Sequence, residues 1–330
     1  MGNITIKDVA KESGVSTASI SRVLNESGYV SNETKARVLA AVKKLNYQPN
    51  AIARSLKQDK TNTIGVVVPD IANPYFMKIA KAIEDTVSNS GYNLIFCSFD
   101  EDSEKERELL TVMYEKRVDA IVLATSGESE DIVASAGIPI VLLDRKMEIE
   151  SQQLDYVIED NIQAAYGLTK TLLEQGHRQI GVVNGSLKVS TGWERYEGYK
   201  QAMQEYRLKE DLQFAYQGNF AQQDGCLAVD YFLSLDKKPT AILSFNNTMS
   251  FGVILELRRR GYNIPEDMVV ASYGEVEAAQ LLDNPQIIYV KQEPYEMGLK
   301  VGKIIMHRLQ KRKKIIQETF IPQIHLYGSR

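Results

Sequence analysis

The chain has 330 residues, 44% of them hydrophobic and 25% charged. This length predicts about two globular domains whose cores need neither disulfides nor metals. The 21 glycines and 9 prolines exclude collagen-like and low-complexity protein. No segment reaches the ~18 apolar residues of a membrane span, and charges near the N-terminus argue against a signal peptide. We therefore expect a cytoplasmic protein without membrane contact.

The cysteines and histidines form no recognisable chemical motif. Cys97 and Cys226 lie in apolar runs, so we expect two small buried side chains rather than a disulfide. His177, His307 and His325 lie far apart and lack the spacing of zinc ligands. The sequence predicts no metal site and no cofactor.

Charge is distributed unevenly along the chain. Residues 1–60 contain ten Lys and Arg against five Asp and Glu, a net charge of +5, whereas the remainder carries −9. A small basic segment joined to a large acidic one is typical of a module that binds a polyanion, although solvated helical faces produce the same pattern.

Two short helices separated by a tight turn are predicted near the N-terminus. Thr5 followed by Asp8 has the form of a capping box that begins a helix. Gly14 ends this helix because a tight turn needs a residue that tolerates positive φ. Ser16 can cap a second helix that runs through about Asn25. This spacing is that of a helix-turn-helix.

The second predicted helix has two different faces. Ile20, Val23 and Leu24 recur with helical periodicity and form its buried face. The opposite face carries small or hydrogen-bonding side chains and a guanidinium able to reach guanine in a major groove. Its residues are Thr17, Ala18, Ser21 and Arg22. A three-helix bundle without a ligand is the alternative, but it leaves these small exposed residues unexplained.

A joint follows the third helix, which Ser31 caps and Pro49 ends. The next residues have helical propensity over only about two turns, too few for a helix that is stable alone. Ala53 and Leu56 form an apolar edge suited to a symmetry mate, and Leu56 beside Arg54 also suits a wedge in the minor groove. A simple linker with incidental helicity is the alternative.

This segment resembles the head and hinge of the lactose-repressor (LacI/GalR) family of bacterial transcriptional regulators. The matching motifs are Thr5–Ala10, Gly14–Ser16, Ser21–Asn25, Tyr47–Asn50 and Ala53–Leu56. The resemblance implies that Thr17, Ala18 and Arg22 face bases and that Leu56 enters the minor groove. The predicted DNA-binding residues are Thr5, Ser16, Thr17, Ala18, Ser21, Arg22, Asn25, Asn50, Ala53, Arg54, Leu56 and Lys57.

From Thr61 onward, apolar strands alternate with amphipathic helices. The unbroken apolar run Ile64–Val68 indicates a buried strand. Further strands are predicted at 93–99, 120–124, 139–143, 179–183, 214–216, 240–244 and 269–272, and helices at 104–117, 129–136, 161–175, 194–206, 222–235 and 248–260. Such alternation predicts parallel sheets with right-handed crossovers, two of them at this length.

The loops after these strands predict a ligand site, because open parallel sheets bind ligands at the carboxyl ends of their strands. Aromatic faces mixed with carboxylates, amides and guanidinium groups suit a carbohydrate or similar polyol. The candidate residues are Asn73, Tyr75, Phe76, Ser98, Asp144, Arg145, Thr191, Trp193, Arg195, Phe220, Asn247, Gly274 and Glu275. Structural roles are the alternative for single residues: Asp144 could cap a helix and Trp193 could lie in a core.

The resemblance to the LacI/GalR family extends through most of the chain. The matching motifs in this part are Asn73–Phe76, Arg117–Ile121, Gly176–Gly181 and Pro239–Ile242. It implies a body similar to periplasmic sugar-binding proteins, with Phe76, Thr191, Arg195 and Phe220 in the effector cleft.

Two positions depart from the family pattern. Family members commonly have Asn-Asp where Asn246-Asn247 stands, and often Asp where Gly274 stands. The chain therefore lacks a carboxylate at both places, for which Glu275 or Asp144 could compensate. The effector does not follow by analogy with the best-known relatives.

The predicted fold is an all-α helix-turn-helix head with an α/β periplasmic-binding-protein-like body. The head covers residues 1–48, and the hinge helix and linker cover 49–60. The body, 61–330, serves effector binding and dimerisation through two parallel-sheet lobes. Lobe one comprises about 61–160 and 291–321, and lobe two about 161–290 and 322–330.

We therefore expect a transcriptional regulator, acting as a repressor, that binds a pseudo-palindromic operator as a homodimer and so associates with the nucleoid. A small sugar or sugar derivative would alter DNA affinity, in either direction. An enzyme is disfavoured because Gly-x-Gly-x-x-Gly, phosphate-loop and Gly-x-Ser-x-Gly motifs are missing. A periplasmic sugar carrier would leave residues 1–60 unexplained.

Overall fold

The computed structural model describes residues 4–25, 27–48, 60–150, 153–282 and 286–326. It divides into two compact units: Met1–Thr61, which contains the head and the segment after it, and Asn62–Arg330, the body. The predicted DNA-binding residues Asn50, Ala53, Arg54, Leu56 and Lys57 lie outside the described residues.

The described part of the head consists of three helices joined by short loops. Its helices are α1 (Ile6–Ser13), α2 (Thr17–Leu24) and α3 (Asn32–Leu45). The predicted capping box is present. The backbone N–H of Thr5 donates to Asp8 Oδ2 at 2.8 Å, and the Thr5 hydroxyl donates to the same oxygen at 2.8 Å. These hydrogen bonds hold the pKa of the Asp8 carboxyl below its ordinary value. Gly14 follows α1 at a φ of 62°, as the turn prediction requires.

Arg37 on α3 connects the third helix to the turn that follows α1. Its Nη2 donates to the carbonyl oxygens of Ser13 at 2.6 Å and Gly14 at 3.4 Å. A methyl group on Gly14 would lie 2.8 Å from the same nitrogen, so both the backbone angle and the space require glycine there. The buried core beneath consists of Val9, Ile20, Val23, Val38 and Ala41.

The body alternates strands and helices almost without exception. In chain order its elements are β1 (Thr63–Val68), α4 (Pro74–Val87), β2 (Asn93–Ser98), α5 (Ser103–Glu115), β3 (Ala120–Leu123), α6 (Glu130–Ala134), β4 (Ile140–Leu143), β5 (Asp155–Glu159), α7 (Asn161–Glu174), β6 (Ile180–Asn184), α8 (Ser190–Glu205), β7 (Ala215–Gln217), α9 (Gln222–Ser234), β8 (Ala241–Ser244), α10 (Asn247–Arg259), β9 (Val269–Tyr273), β10 (Ile288–Lys291), α11 (Pro294–Leu309), β11 (Gln317–Phe320) and β12 (Gln323–Leu326).

These strands form two sheets, each the centre of one lobe. Among the described residues, lobe one has the strand order β11-β5-β4-β3-β1-β2, and lobe two has β12-β10-β9-β8-β6-β7. Every pair in lobe one is parallel. Apolar strand residues such as Val66 and Val141 pack against α4 and α11 in lobe one, whereas α7 and α8 pack together in lobe two.

One edge of lobe two contradicts the prediction of wholly parallel sheets, because β12 runs antiparallel to β10. The reason lies in the route of the chain. β11 ends at the cleft side of lobe one, and residues 321–322 lead directly into lobe two. The next strand therefore starts at the cleft and runs away from it, against its neighbours.

The chain passes between the lobes three times within the described residues. Residue 160 links β5 to α7, residues 292–293 link β10 to α11, and residues 321–322 link β11 to β12. The carboxyl ends of the parallel strands face each other across the cleft between the lobes, so loops from both sheets meet there.

The two cysteines differ in their exposure. Cys226 is buried as expected, whereas Cys97 is only half-buried because β2 is an edge strand. None of the described helices is long and apolar enough to cross a membrane. The described ranges also contain no group of His, Cys, Asp and Glu that could hold a metal ion.

A substitution at Gly298 tests the close packing of α11 on α4. A methyl group there would lie 2.7 Å from Cβ of Ala82 and overlap the Ile79 carbonyl oxygen. We expect Gly298→Ala to lower the free energy of unfolding by about 1–3 kcal/mol through overpacking, measured by urea denaturation. Gly167→Ala is the control, since its new methyl would meet only the end of the flexible Ile324 side chain. Equal stability of both variants would contradict this packing.

Candidate functional sites: recognition helix and interlobe cavity

The outer face of α2 presents polar and small side chains to solvent. Thr17, Ala18, Arg22 and Asn25 are exposed, and Ser21 is half-buried. Within the described head, Arg22 forms no ion pair, so its guanidinium is available to another partner.

Three other predicted DNA-binding residues shape the ends of these helices. Thr5 begins α1 through Asp8, and the Ser16 hydroxyl accepts from the Ser19 backbone N–H at 3.2 Å, which caps α2. At the other end of α2, Asn25 Nδ2 donates to Ser21 Oγ at 3.1 Å. These contacts position the recognition face, and the hydroxyls lie where helix N-termini attract phosphate.

Tyr29 is an exposed residue that the sequence patterns did not single out. Its side chain is 93% exposed, and it follows Gly28, where an added methyl would lie 3.8 Å from Arg22 Cδ. An aromatic side chain left outside the core beside the recognition helix is a candidate DNA contact. Helical periodicity could not reveal it, because it lies in a loop.

A cavity of about 240 Å³ lies between the lobes at the carboxyl ends of the strands. It brings together nine of the thirteen predicted effector-binding residues. Its lining is Pro69, Asp70, Asn73, Tyr75, Phe76, Asp100, Glu101, Asp144, Arg145, Thr191, Arg195, Asn219, Phe220, Ala221, Asn246, Asn247, Tyr273 and Gln292.

Four predicted residues, among them Gly274, lie outside this lining. Ser98 donates instead to the Pro69 carbonyl oxygen at 2.9 Å, and Glu275 lines a neighbouring cavity of about 530 Å³. Trp193 is 47% exposed and belongs to neither the cavity nor a core. Thr191 and Arg195, four residues apart on α8, share the cavity face, so the residue midway between them points elsewhere.

Asp144 and Arg195 are the charged centre of the cavity and come from opposite lobes. Asp144 follows β4 in the left-handed region, at a φ of 62°, and is 6% exposed. Its Oδ1 accepts a hydrogen bond from the Tyr75 hydroxyl at 3.1 Å and lies 4.0 Å from Arg195 Nη2. Burial, together with the Asp144 charge, raises the pKa of Tyr75 well above its ordinary value, so its hydroxyl remains a donor.

The Arg195 side chain is held on three sides. Its Nε donates to Asn161 Oδ1 at 2.8 Å and its Nη1 to the Phe245 carbonyl oxygen at 2.7 Å. The guanidinium carbon lies 3.8 Å from the centroid of the Tyr273 ring. These contacts orient the third nitrogen, Nη2, toward Asp144.

Arg145 provides a second oriented guanidinium. It forms two hydrogen bonds with Glu101, from Nη1 at 2.8 Å and from Nη2 at 2.5 Å, and lies 5.1 Å from the ring centroid of Phe220 in lobe two. Its Nε is buried and has no hydrogen-bond partner among the described residues. Asp144 Oδ2 lies 4.0 Å from this nitrogen, beyond hydrogen-bond distance.

A reciprocal amide pair closes the cavity on another side. Asn73 Nδ2 donates to Asn247 Oδ1 at 3.2 Å, and Asn247 Nδ2 donates to Asn73 Oδ1 at 3.0 Å. The pair joins lobe one to lobe two. An aspartate at position 247 could accept but not donate, so the departure from the family pattern at this position permits the second hydrogen bond.

Glu159 lies directly behind the lining and was missed by the sequence patterns. It is 1% exposed, accepts from Gln292 Nε2 at 2.7 Å and has its Oε1 unpartnered among the described residues. Gln292 Oε1 in turn occupies the space beside Gly274, 2.6 Å from where a Cβ would be. The Gln292 amide thus occupies space that a side chain at position 274 would need.

Burial is the main cause of an unusual ionisation at Glu159. Burial and, after it, the neighbouring Asp144 charge raise the pKa of this carboxyl, while Arg195 and the hydrogen bonds from Gln292 and Tyr273 oppose the shift, and the net result is a rise from 4.5 to about 7. A charged residue at the end of a buried strand was the only sequence signal that could have found it.

A helical head that exposes a recognition helix, followed by two lobes around a polar cavity, defines a DNA-binding regulator that senses a small molecule. The family model for bacterial regulatory proteins of the lacI family matches residues 5–50. The model for periplasmic binding proteins and the sugar binding domain of the LacI family matches residues 61–330. The chain belongs to the LacI family of bacterial regulatory proteins.

Similar proteins over nearly the full length are named repressors. The HTH-type transcriptional repressor PurR of Vibrio cholerae serotype O1 is 35% identical over 313 residues, 94% of this chain and 92% of that protein. PurR of Haemophilus influenzae is 33% identical over 318 residues, 95% and 94% of the two chains. The protein is accordingly a transcriptional repressor with a DNA-binding head and a ligand-binding body.

Solved structures share this architecture. The Lac repressor dimer bound to operator and the anti-inducer ONPF superposes with a TM-score of 0.82 at 22% identity and covers 98% of both chains, which shows a common fold. A LacI family transcriptional regulator from Enterococcus faecium with bound ribose has a TM-score of 0.71 at 26% identity, covering 80% of this chain and 96% of that one.

Glu159 makes stability depend on pH. Its pKa in the folded protein, about 7, exceeds the ordinary 4.5, so its stabilising effect is complete below about pH 4.5 and is lost as the pH rises through 7. We expect the free energy of unfolding to fall by about 3 kcal/mol over this window from this group. Chemical denaturation at several pH values measures the difference between the protein and Glu159→Gln, which should lack this slope.

Glu148→Gln is the control, since Glu148 is exposed. This variant should keep the slope of the unmodified protein. A Glu159→Gln variant whose stability follows the same pH profile as the unmodified protein would show that Glu159 ionises normally.

Proposed function

We propose that a neutral, hydroxyl-rich ligand of monosaccharide size occupies the interlobe cavity and controls operator binding by a homodimer. The single observation that carries this proposal is the oriented set of Asp144, Arg195 and Arg145 beside aromatic rings. A carboxylate or a guanidinium group can bind two neighbouring hydroxyls at once, while an aromatic ring stacks on the apolar face of a sugar ring.

The charge balance of the cavity favours a neutral ligand over an anion. Asp70, Asp100, Glu101 and Asp144 line it, against the two guanidinium groups of Arg145 and Arg195. Glu101 already pairs with Arg145 and Asp100 with Lys105, so Asp70 and Asp144 remain beside the single guanidinium of Arg195. A phosphate or carboxylate would face the other carboxylates at a cost that a sugar avoids.

The size of the cavity is consistent with a small ligand. The volume of about 240 Å³ lies below the ~300–1,000 Å³ typical of sites for drug-sized ligands. A single sugar ring is consistent with this volume. The related Enterococcus faecium regulator, solved with ribose, is consistent with the same class of ligand.

The body would transmit ligand binding by lobe closure. Asp144 belongs to lobe one and Arg195 to lobe two, so a ligand that bonds both changes the free energy of the closed arrangement. Coupling to DNA would pass through residues 49–60, where Asn50, Ala53, Arg54, Leu56 and Lys57 would contact the operator. The coupling must be reciprocal: DNA changes ligand affinity by the same factor. The ligand would be released unchanged, without catalysis.

Thermal shift measurements test the ligand class. Neutral monosaccharides should raise the melting temperature of the protein, whereas sugar phosphates, sugar acids and free purine bases should not.

Asp144→Asn should weaken the binding of the active sugar at least about tenfold, since a hydrogen bond to a charged group contributes roughly 1.5–3 kcal/mol. Trp193→Ala, which alters an exposed side chain on the same helix as Arg195, is the control and should bind normally.

The opposite ranking of ligands would overturn this proposal. A phosphorylated sugar or a purine base that alone stabilises the protein would show that another ligand class fits the cavity. Full sugar affinity in Asp144→Asn would place the binding site elsewhere.

Arg22→Ala tests the recognition face of α2. Because a guanidinium reading guanine contributes about 1–3 kcal/mol of discrimination, the variant should lose preference for the operator over scrambled duplex. Its response to the effector in the thermal shift assay should remain. Selection of bound fragments from genomic DNA, followed by fluorescence anisotropy, provides the operator and the measurement. Unchanged discrimination would exclude Arg22 from base reading.

A further inference from the structure

The loop between α11 and β11 carries a second basic surface, on the body. Lys311, Arg312, Lys313 and Lys314 are consecutive and all exposed. Residues 61–330 as a whole carry a net charge of −9. Four adjacent cations on an acidic body therefore concentrate positive potential at one place. We call this segment, residues 311–314, the basic loop.

Within the described ranges, no carboxylate of the body neutralises the basic loop. As far as the described ranges extend, none of its four cations forms an ion pair. The acidic residue Glu318 nearby already pairs with Lys300 at 2.8 Å. Exposed cations without a carboxylate partner are available to an external anion.

The backbone of the basic loop is fixed by a buried ion pair at its base. Asp155 Oδ1 accepts from Arg308 Nη2 at 2.9 Å and from the Ile316 backbone N–H at 2.7 Å. Arg308 Nη1 also donates to the Arg312 carbonyl oxygen at 3.2 Å. The cations are consequently held on an ordered loop and lose less entropy on binding than those of a free tail would.

Strand register places the basic loop at the end of lobe one opposite the cavity, on the side where β1 begins. The strand pairings run from β11 through β5, β4 and β3 to β1. They place Gln317 of β11 at the same height in the sheet as Val67 of β1. Four residues earlier in each segment, Thr63 begins β1 and Lys313 lies in the loop before β11. Four interstrand spacings separate the two strands, a distance of about 19 Å.

We propose that the basic loop binds the phosphate backbone of duplex DNA, outside the bases that the head reads. Two properties identify this partner: the protein binds DNA, and lysines are point charges suited to phosphate rather than to base edges. The interaction adds affinity without sequence preference and belongs to the body. It does not depend on the identity of the effector.

The experiment compares two triple variants of the full-length protein. Lys311→Gln/Lys313→Gln/Lys314→Gln removes the lysines of the basic loop and spares Arg312. Lys209→Gln/Lys237→Gln/Lys238→Gln removes the same charge from exposed positions on lobe two. Fluorescence anisotropy measures binding to a 60-bp duplex of random sequence from about 50 to 300 mM NaCl.

We expect the basic-loop variant to bind about tenfold more weakly at 100 mM salt, with a salt slope shallower by about 0.9 for each phosphate that the loop no longer neutralises. The lobe-two variant should bind nearly as the unmodified protein does. Lys311→Arg/Lys313→Arg/Lys314→Arg should restore binding, and unchanged melting temperatures would show that all variants fold.

Two results would overturn the proposal. Equal losses of affinity in both glutamine variants would attribute the effect to overall charge rather than to the basic loop. Unchanged affinity and slope in the basic-loop variant would exclude DNA as its partner and leave an acidic or phosphorylated protein as the alternative. A failed effector screen leaves this test unaffected, because it uses DNA alone.

Discussion

The three passages of the chain between the lobes are the constraint on which the cavity depends. They bring the carboxyl ends of two parallel sheets face to face, so each sheet contributes loops to one enclosed space. Two polar residues of the site lie at these passages. Glu159 directly precedes the first passage, and Gln292 is part of the second. A change in the angle between the lobes therefore moves the residues that touch a ligand.

Several polar contacts of the described residues cross the cleft, and Lys188–Glu128 and Lys78–Glu277 are among them. Asn73 pairs with Asn247, Asp144 lies near Arg195, and Lys146 pairs with Glu194 at 2.6 Å. Such contacts contribute a small net free energy, because water competes for the same groups when the lobes separate. A ligand bonded to both lobes can therefore shift the closure equilibrium with a differential affinity of a few kcal/mol.

Local patterns predicted most of the fold. The capping box at Thr5 and the glycine turn at Gly14 were correct, because both depend on neighbouring residues alone. The antiparallel β12 could not be predicted, since its direction is set by the path of β11 through the other lobe. The cavity was foreseen in outline, because strand ends mark the ligand side of parallel sheets.

Individual side chains of the cavity were harder to place. Trp193 lies on an outer helix face although it stands between two lining residues in the sequence. Glu159 lies behind the lining through a contact 133 residues distant, which its local position at the end of a buried strand does not reveal. The identity of a cavity wall depends on tertiary packing, which periodicity along one element does not report.

The position of the last two strands has a consequence for biosynthesis. β11 and β12 complete the edges of both sheets, yet they follow every other described strand of the body in the chain. Neither lobe can finish its sheet while this segment is still inside the ribosome. The body, a single compact unit, therefore reaches its native state only after both lobes have been synthesised almost completely, whereas the head can fold on the nascent chain.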